Sequence, residues 1–207
     1  MTVITKETEN NYVSIKGTLV SEFKFSHSSY GEKFYLVYLR AERLSGREDI
    51  LPLMISERIL DDLGDYAGRA VVVTGQFRSY NCHEGDRNHL ALSVFVQEMD
   101  FTDDKAERNE IILNGYVCKQ PVYRRTLLER EITDLLLAVN RPYGKSDYSP
   151  CIVWGKEARC AAEFEIGDKV RIHGRVQSRE YRKEDASGSE KLIAYEVSVT
   201  RLEPEYG

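Results

Sequence analysis

The fold is decided by the stretch Gly167-Asp-Lys-Val-Arg-Ile-His-Gly-Arg-Val-Gln177, in which apolar and polar side chains alternate. Val170, Ile172 and Val176 fall on one side of an extended chain and the charged residues on the other, which is the period of a half-buried β-strand. Gly174 interrupts this strand, and a glycine inside a strand usually marks a bend or a bulge. The stretch therefore predicts a strand that curves, as the strands of a small barrel must.

The same pattern occurs a second time, about 98 residues earlier in the chain. The matched segments are Asn11–Gly17 with Asn109–Gly115, Asp49–Ile55 with Asp147–Val153, Gly68–Gly75 with Gly167–Gly174, and Leu92–Met99 with Tyr195–Leu202. Two copies are too few for a solenoid, so each copy is expected to close its own core. We predict two domains, residues 1–106 and 107–207, joined by the charged stretch Thr102–Arg108.

Each copy reads as five strands with one short helix after the third strand. Good helix formers fill Lys156–Phe164, which stops before Gly167, and Glu57–Leu63, which stops before Gly64. The fold class is therefore all-β, as two tandem five-stranded barrels with one short helix in each.

The composition narrows the class of protein. In 207 residues, 42% hydrophobic and 30% charged, no apolar run approaches a membrane span and no signal peptide opens the chain. Cys82, Cys118, Cys151 and Cys160 form no CxxC pair and read as free thiols. We expect a protein of the cytoplasm, associated with the nucleoid if it binds DNA, that uses no small-molecule substrate.

The sequence carries no motif of a common catalytic or metal-binding site. GxxxxGK[ST], GxSxG and HExxH are absent from the sequence, and Asp134 and Asp147 are interpreted as solvated or loop-capping carboxylates. Cys82, His83 and His89 lie close together, but their irregular spacing in a polar loop favours no metal. We expect neither an enzyme nor a cofactor.

The charge is unevenly distributed. Residues 1–108 hold 13 Lys and Arg against 18 Asp and Glu, a net of −5, whereas residues 109–207 hold 16 of each, a net of 0. The acidic balance belongs to the first copy, so a surface that contacts phosphates is expected on the second.

Four motifs of the second copy resemble a known family. They are Asn109-Glu-Ile-Ile-Leu-Asn-Gly115, Leu137-Ala-Val-Asn-Arg141, Cys151-Ile-Val-Trp-Gly-Lys156 and Gly174-Arg-Val-Gln-Ser-Arg-Glu-Tyr181. In this order and spacing they resemble the OB domain of bacterial single-stranded DNA-binding proteins, and the first copy looks like a divergent domain of the same kind. The resemblance implies two OB folds and a role in replication, recombination or repair.

In that family, bases stack on aromatic side chains and basic residues follow the phosphates. The resemblance places the four aromatic positions on Tyr143, Tyr148, Trp154 and Tyr181, three of them tyrosine where tryptophan is commoner. Tyrosine keeps a stackable face of smaller area, so we expect the same binding mode with less affinity per base. The family's acidic tip is also missing from Arg201–Gly207, so we do not expect a role in recruiting other enzymes.

The residues support this reading on their own. Tyr148 and Trp154 are six apart and so point to the same side of a strand. A stripe of Arg171, Arg175 and Arg179 leads to Tyr181 on the face opposite the apolar side chains. The remaining predicted cationic contacts are Arg141, Lys145 and Lys156.

The first copy presents a different surface. The positions that match the four aromatics are Ser45, Ile50, Ser56 and Cys82, and those that match the three arginines are Val72, Gln76 and Tyr80. Its third strand, Ile50–Ile55, is apolar on both faces and must be covered by protein. The second barrel, another chain or another replication protein could cover it; we favour a homodimer, because the resemblance implies four OB domains per assembly.

Three other OB-fold functions fit the same sequence features. An OB module of the primosome type, built for protein contacts, would suit the acidic first copy, and an RNA-binding OB protein would carry the same stacking surface. A nuclease on an OB barrel is the weakest alternative, because it needs clustered carboxylates for a metal. Only the resemblance favours DNA over RNA, since every base has a stackable face.

Overall fold

A computed structural model describes residues 10–60, 66–84, 87–104, 106, 108–185 and 188–205. The first barrel consists of β1 (Asn11–Leu19), β2 (Lys24–Ser29), β3 (Glu32–Glu42), β4 (Glu48–Ser56), β5 (Ala70–Glu84) and β6 (Arg87–Phe101). The second consists of β7 (Asn109–Val117), β8 (Val122–Arg125), β9 (Glu131–Asn140), β10 (Ser146–Trp154), β11 (Lys169–Asp185) and β12 (Gly188–Pro204), with α1 (Lys156–Ala162) after β10 and a 3-10 turn at Pro142–Gly144.

Both halves close in the same way. In the second, the strands run β7-β9-β10-β12-β11 and return to β7, and the first follows the equivalent order β1-β3-β4-β6-β5-β1. All neighbours are antiparallel except β10 with β12 and β4 with β6. Two closed five-stranded barrels with one parallel pair each are the OB-fold arrangement, so the predicted fold class is confirmed.

Each barrel has six strand segments where five were expected. The first strand is interrupted: β7 ends at Val117, β8 begins at Val122, and both segments pair with β9. The helix expected at Lys156–Phe164 is α1. In the first barrel Glu57–Ile59 form only a turn, closed by a bond from Leu60 N to Glu57 O of 3.3 Å, and the rest of the predicted helix, residues 61–63, lies outside the described residues.

The glycines predicted to bend the strands lie where strands approach closely. A Cβ at Gly174 would be 2.3 Å from the carbonyl oxygen of Ser198, and one at Gly115 would be 2.7 Å from that of Ala138. The ladder of β11 with β12 shifts register between His173 and Gly174. Around Gly115 one edge of β7 passes from β1, paired up to Leu113, to β9, paired from Tyr116, while the other edge stays paired with β11. Only a residue without Cβ fits at these bends, so the prediction is confirmed.

The two barrels join through their first strands. β1 and β7 pair antiparallel, with Val13 directly opposite Ile111, and both side chains are fully buried. These two residues are 98 apart, the offset of the sequence repeat, so equivalent residues face each other. An approximate two-fold axis therefore passes through this pair and relates the barrels.

The doubly apolar strand β4 is covered within the chain. Leu51 to Ser56 are all buried, and Met54 lies beside Phe95 of β6. The second barrel, one of the expected covers, contacts β4 at Ile50, whose amide donates to Ser178 Oγ at 3.3 Å.

Candidate functional site

Three of the four predicted aromatics lie exposed on the second barrel. Tyr148 and Trp154 are on β10 and Tyr181 is on β11, with exposed fractions of 44%, 38% and 39%. Tyr148 and Trp154 are six residues apart on β10, so the two rings lie on the same outer face, while Ser149, Cys151 and Val153 on the opposite face are buried. Ile152, which lies between the rings on the outer face, is buried as well. The backbone of Tyr143 lies in the 3-10 turn; its side chain is outside the described residues.

Trp154 is held against the neighbouring strand. Its indole Nε1 donates to Ser198 Oγ of β12 at 3.2 Å, and Ser198 lies opposite Arg175 of β11. The bond fixes one edge of the indole while its faces stay partly open. The indole N–H thus has the hydrogen-bond partner that a partly buried tryptophan usually finds.

Arg171, Arg175 and Arg179 alternate along β11 with buried apolar residues, and Gln177 on the arginine side is itself buried. Arg175 is half-buried and donates to Gln177 Oε1 at 3.2 Å; burial lowers the pKa of its guanidinium, with Arg43 nearby adding to the effect. Arg179 is half exposed, pairs with the buried Glu196 at 3.4 Å, and lies 5.8 Å from the ring centre of Tyr181. The stripe therefore carries charge at the same surface as the aromatics.

The other predicted cations, Lys145, Lys156 and Arg141, differ in whether they are open to solvent or paired with a carboxylate. Lys145 and Lys156 are exposed beside β10, where they are open to solvent. Arg141 instead pairs with Asp147: its Nε donates to Asp147 Oδ2 at 2.6 Å and its Nη2 donates to the carbonyl oxygen of Ser79 at 3.0 Å. Arg141 thus links the two barrels.

Asp147 is not the solvated carboxylate that its sequence context suggested. It is 1% exposed, and its Oδ1 accepts a bond from the amide of Ser79 in the first barrel at 2.6 Å. The reason is the two-fold pairing of the barrels, which brings β5 against the start of β10. Asp134 does lie at the surface, where Arg124 donates to it at 2.8 Å.

The same contacts recur across the approximate two-fold axis. We call Arg141, Asp147 and Ser79 the Asp147 cluster, and Arg43, Asp49 and Ser178 the Asp49 cluster. In the latter, Asp49 Oδ1 accepts from the amide of Ser178 at 2.7 Å, and its hydrogen bond with Arg43 raises the pKa of that guanidinium. Both aspartates lie at equivalent positions of the repeat, and each binds an arginine of its own barrel and a serine of the opposite one.

The Asp147 cluster also reaches the aromatic surface. Ser79 Oγ accepts a bond from the amide of Tyr148 at 2.8 Å, so a residue of the first barrel holds the backbone of an exposed aromatic in the second. The equivalent Ser178 holds Ile50. The first barrel is therefore part of the support of this surface.

The described residues contain free cysteines and no cluster of metal ligands. No group of three or more His, Cys, Asp or Glu side chains within the described residues is placed to hold a metal, and the side chains of Cys82, His83 and His89 fall outside them. Cys118, Cys151 and Cys160 are free thiols. None of the described helices is long and apolar enough to cross a membrane.

Comparison with known proteins shows which family the chain resembles in sequence. A sequence profile of the single-strand binding protein family matches residues 108–204. A protein of Listeria innocua named single-stranded DNA-binding protein 2 is 34% identical over 105 residues, which are 46% of this chain and 65% of that protein. A single-stranded DNA-binding protein of Caldanaerobacter subterraneus is 34% identical over 108 residues, which are 48% of this chain and 71% of that protein.

Solved structures extend the likeness to both barrels. The wild-type single-stranded DNA binding protein from Thermus aquaticus superposes with a TM-score of 0.75 over 95% of this chain and 93% of its own, at 21% sequence identity. At that identity the likeness concerns the fold alone, and it includes the tandem arrangement. The chain spans about two thirds of the length of the curated relatives it matches. By its sequence and its fold, the chain belongs to the single-strand binding protein family.

Proposed function

We propose that this chain binds single-stranded DNA by stacking bases on Tyr143, Tyr148, Trp154 and Tyr181. Phosphates are contacted by cations along the same face, namely Arg171, Arg175, Arg179, Lys145 and Lys156. The observation that carries the proposal is the set of three exposed rings beside the arginine stripe of β11. In this proposal residues 107–207 form the binding domain, residues 1–106 support it and the assembly, and neither catalyses a reaction.

Stacking supplies affinity without sequence preference. Each base stacked on an aromatic ring contributes about 1–3 kcal/mol, because every base offers a π-face. The rings of Tyr148 and Trp154 are presented from one rigid strand, and Arg179 lies near Tyr181. A strand that passes over these side chains would therefore bind through its bases and its backbone together.

The contribution of phosphate contacts to binding depends on the cations of one surface and not on the net charge of the chain. The second half of the chain has no net charge, yet Arg171, Arg175 and Arg179 lie on one face of β11, and counterion release depends on the phosphates neutralised there. Arg179 shares its charge with Glu196, which reduces the attraction it can exert. We therefore expect a moderate salt dependence, with a slope of about −0.7 per phosphate contacted.

Titration of three labelled nucleic acids tests the proposal. Poly-dT, poly-rU and a duplex of equal length are titrated with the protein at low and high salt. We expect tightest binding to poly-dT, loss of affinity as salt rises, and weak binding to the duplex, whose bases are stacked internally. Equal or tighter binding of poly-rU would make the chain an RNA-binding protein, and absence of binding to either strand would leave a protein-interaction module of the primosome type.

We further propose that two chains associate, giving four OB barrels. The resemblance supports this arrangement, and the internal pairing of β1 with β7 shows that two barrels of this kind associate through an antiparallel first strand. Light scattering at micromolar concentration is expected to give twice the mass of the chain. A mass of one chain at that concentration would rule the homodimer out.

A further inference from the structure

A carboxylate is buried beside the arginines of the second barrel. Glu196 lies on β12 directly opposite Gln177 of β11, and it is only 4% exposed. Its Oε1 accepts a hydrogen bond from Gln177 Nε2 at 2.8 Å, and its Oε2 accepts one from Arg179 Nε at 3.4 Å. Gln177 is buried as well, so the carboxylate is held in a fixed place next to Arg179. The proposed binding surface thus contains a negative charge that cannot move away.

The fold does not require a carboxylate at this position. The repeat places Ser93 of β6 where the second barrel has Glu196, and Ser93 is buried opposite Arg78 as Glu196 is buried opposite Gln177. Both barrels close in the same way with these unlike residues. Taking an ionised carboxylate out of water is costly, and one hydrogen-bonded partner and one half-exposed arginine offset only part of that cost. A charge that the equivalent barrel omits therefore indicates a role outside the fold.

Glu196 accompanies the arginine stripe. The second barrel has Arg175 and Arg179 on β11, where the first barrel has Gln76 and Tyr80. The carboxylate is thus present in the copy that has the stripe and absent from the copy that lacks it. Within the described residues, Arg179 makes its one ion pair with Glu196. This pairing indicates that the carboxylate acts on the cations of the binding surface.

The charge of Glu196 also reaches cations outside the stripe. Hydrogen bonds with Asp49 and Asp134 raise the pKa of Arg43 and Arg124 respectively, and Glu196 adds to both increases. Arg43 belongs to the first barrel and Arg124 to β8 of the second. The carboxylate therefore stabilises the charged form of cations on both barrels, and by the same field it opposes an anion that approaches them.

We propose that Glu196 is an internal counterion that limits how tightly this surface holds the phosphates of a strand. The inference rests on the proposed function and deepens it, because it assigns a residue that opposes binding. In the free protein the carboxylate already neutralises Arg179. A phosphate that reaches Arg179 shares this arginine with Glu196 and is repelled by it. The strand is consequently held more by its stacked bases than by its phosphates.

Glu196→Gln tests the proposal. The amide has nearly the shape of the carboxylate and keeps an oxygen that accepts from Gln177, but it carries no charge, so Arg179 is released to the phosphates. The full-length wild type and variant are titrated with labelled poly-dT over a series of salt concentrations. We expect the variant to bind roughly 3-fold to 10-fold more tightly at low salt. The plot of log affinity against log salt should be steeper by up to about 0.7, the value of one phosphate contact.

Glu196→Ser is a second variant that introduces the residue of the first barrel. It removes the same charge with a different shape, so the same steeper salt dependence is expected from it. Thermal unfolding midpoints of both variants separate a change in binding from a change in folding. A purely structural role of Glu196 would change the midpoint and leave the salt dependence as it is in wild type.

Glu163→Gln is the matched control for the change in net charge. Glu163 is exposed directly after α1, lines a cavity with Phe164 and Pro204, and makes no ion pair in the part of the chain that the structure describes. It lies outside the arginine stripe. We expect this variant to bind poly-dT within about 2-fold of wild type and with the same salt dependence. An equal gain from Glu163→Gln would assign the effect to net charge and overturn the proposal.

A double-mutant cycle with Arg179→Gln identifies the cation through which Glu196 acts. If the carboxylate acts through Arg179, Glu196→Gln should change affinity by about 2-fold or less once Arg179 has been replaced. A gain of the same size with and without Arg179 would contradict the proposed pairing.

The proposed function and this inference fail in different ways. If the wild-type chain does not bind poly-dT, the proposed function is wrong. If wild type binds and both Glu196 variants bind with the affinity and salt dependence of wild type, or more weakly, the surface binds DNA but Glu196 does not limit it. Tighter binding with a steeper salt dependence supports both.

Discussion

The Trp154→Ala, Tyr181→Ala double variant is expected to bind poly-dT about 2 to 6 kcal/mol more weakly than wild type. That range corresponds to a loss of between about 30-fold and about four orders of magnitude in affinity. The rings are 38% and 39% exposed, and truncating surface rings should cost the fold little. A fluorescence titration at low salt measures the change, and the unfolding midpoint checks the fold.

Trp154→Phe with Tyr181→Phe is the matched control for this result. It keeps two stackable faces, removes the indole bond to Ser198 Oγ and removes the tyrosine hydroxyl. Affinity near that of wild type would assign the effect of the alanines to stacking. If the alanine variant binds as well as wild type, the second barrel is not the stacking surface.

The second large expected effect is a loss of stability at the contact between the two barrels. Asp147→Ala is expected to lower the free energy of unfolding by about 3 kcal/mol, the low end of the range for breaking a buried ion pair, because Arg141 keeps 26% of its side chain exposed and can be partly solvated. The amide of Ser79 also loses its acceptor. Urea unfolding measures the loss, and the melting temperature should fall by roughly 6–12 °C.

Asp134→Ala controls for the loss of an aspartate that pairs with an arginine. Its partner is Arg124 at 2.8 Å, but the two side chains are 39% and 49% exposed, so the expected loss is about 0–1 kcal/mol. If the two variants lose the same stability, the Asp147 cluster does not hold the barrels together.

The sequence repeat predicted much of this architecture. The alternation in β11 and the bends at Gly115 and Gly174 follow from local pattern, because strand period and glycine geometry are local properties. The two barrels follow from the repeat, whose offset is 98 over the first segments and 103 at the last one. The break of the first strand into β7 and β8 was missed. Both segments pair with β9, which the apolar pattern alone does not reveal.

Contacts between the barrels lay beyond sequence reasoning. Asp147 reads as a loop residue because Ser79, whose amide donates to it, belongs to the first barrel, and no local pattern brings the two together. The rings of Phe34 and Phe95, which lie on the strands that flank Ser56, were missed for a related reason. A ring that moves to a neighbouring strand fills a nearby part of the barrel but loses its place in the alignment.

The antiparallel pairing of β1 with β7 also affects the direction in which a nucleic-acid strand can lie across the two barrels. A single strand has a 5′ and a 3′ end, and two identical barrels related by an exact two-fold axis would bind both orientations with equal free energy. Here the two-fold axis relates unlike surfaces, with Trp154 on one barrel and Ser56 flanked by Phe34 and Phe95 on the other. A strand that crosses both barrels therefore meets them in a different order in each orientation, and the chain has the means to impose a polarity on the nucleic acid it covers.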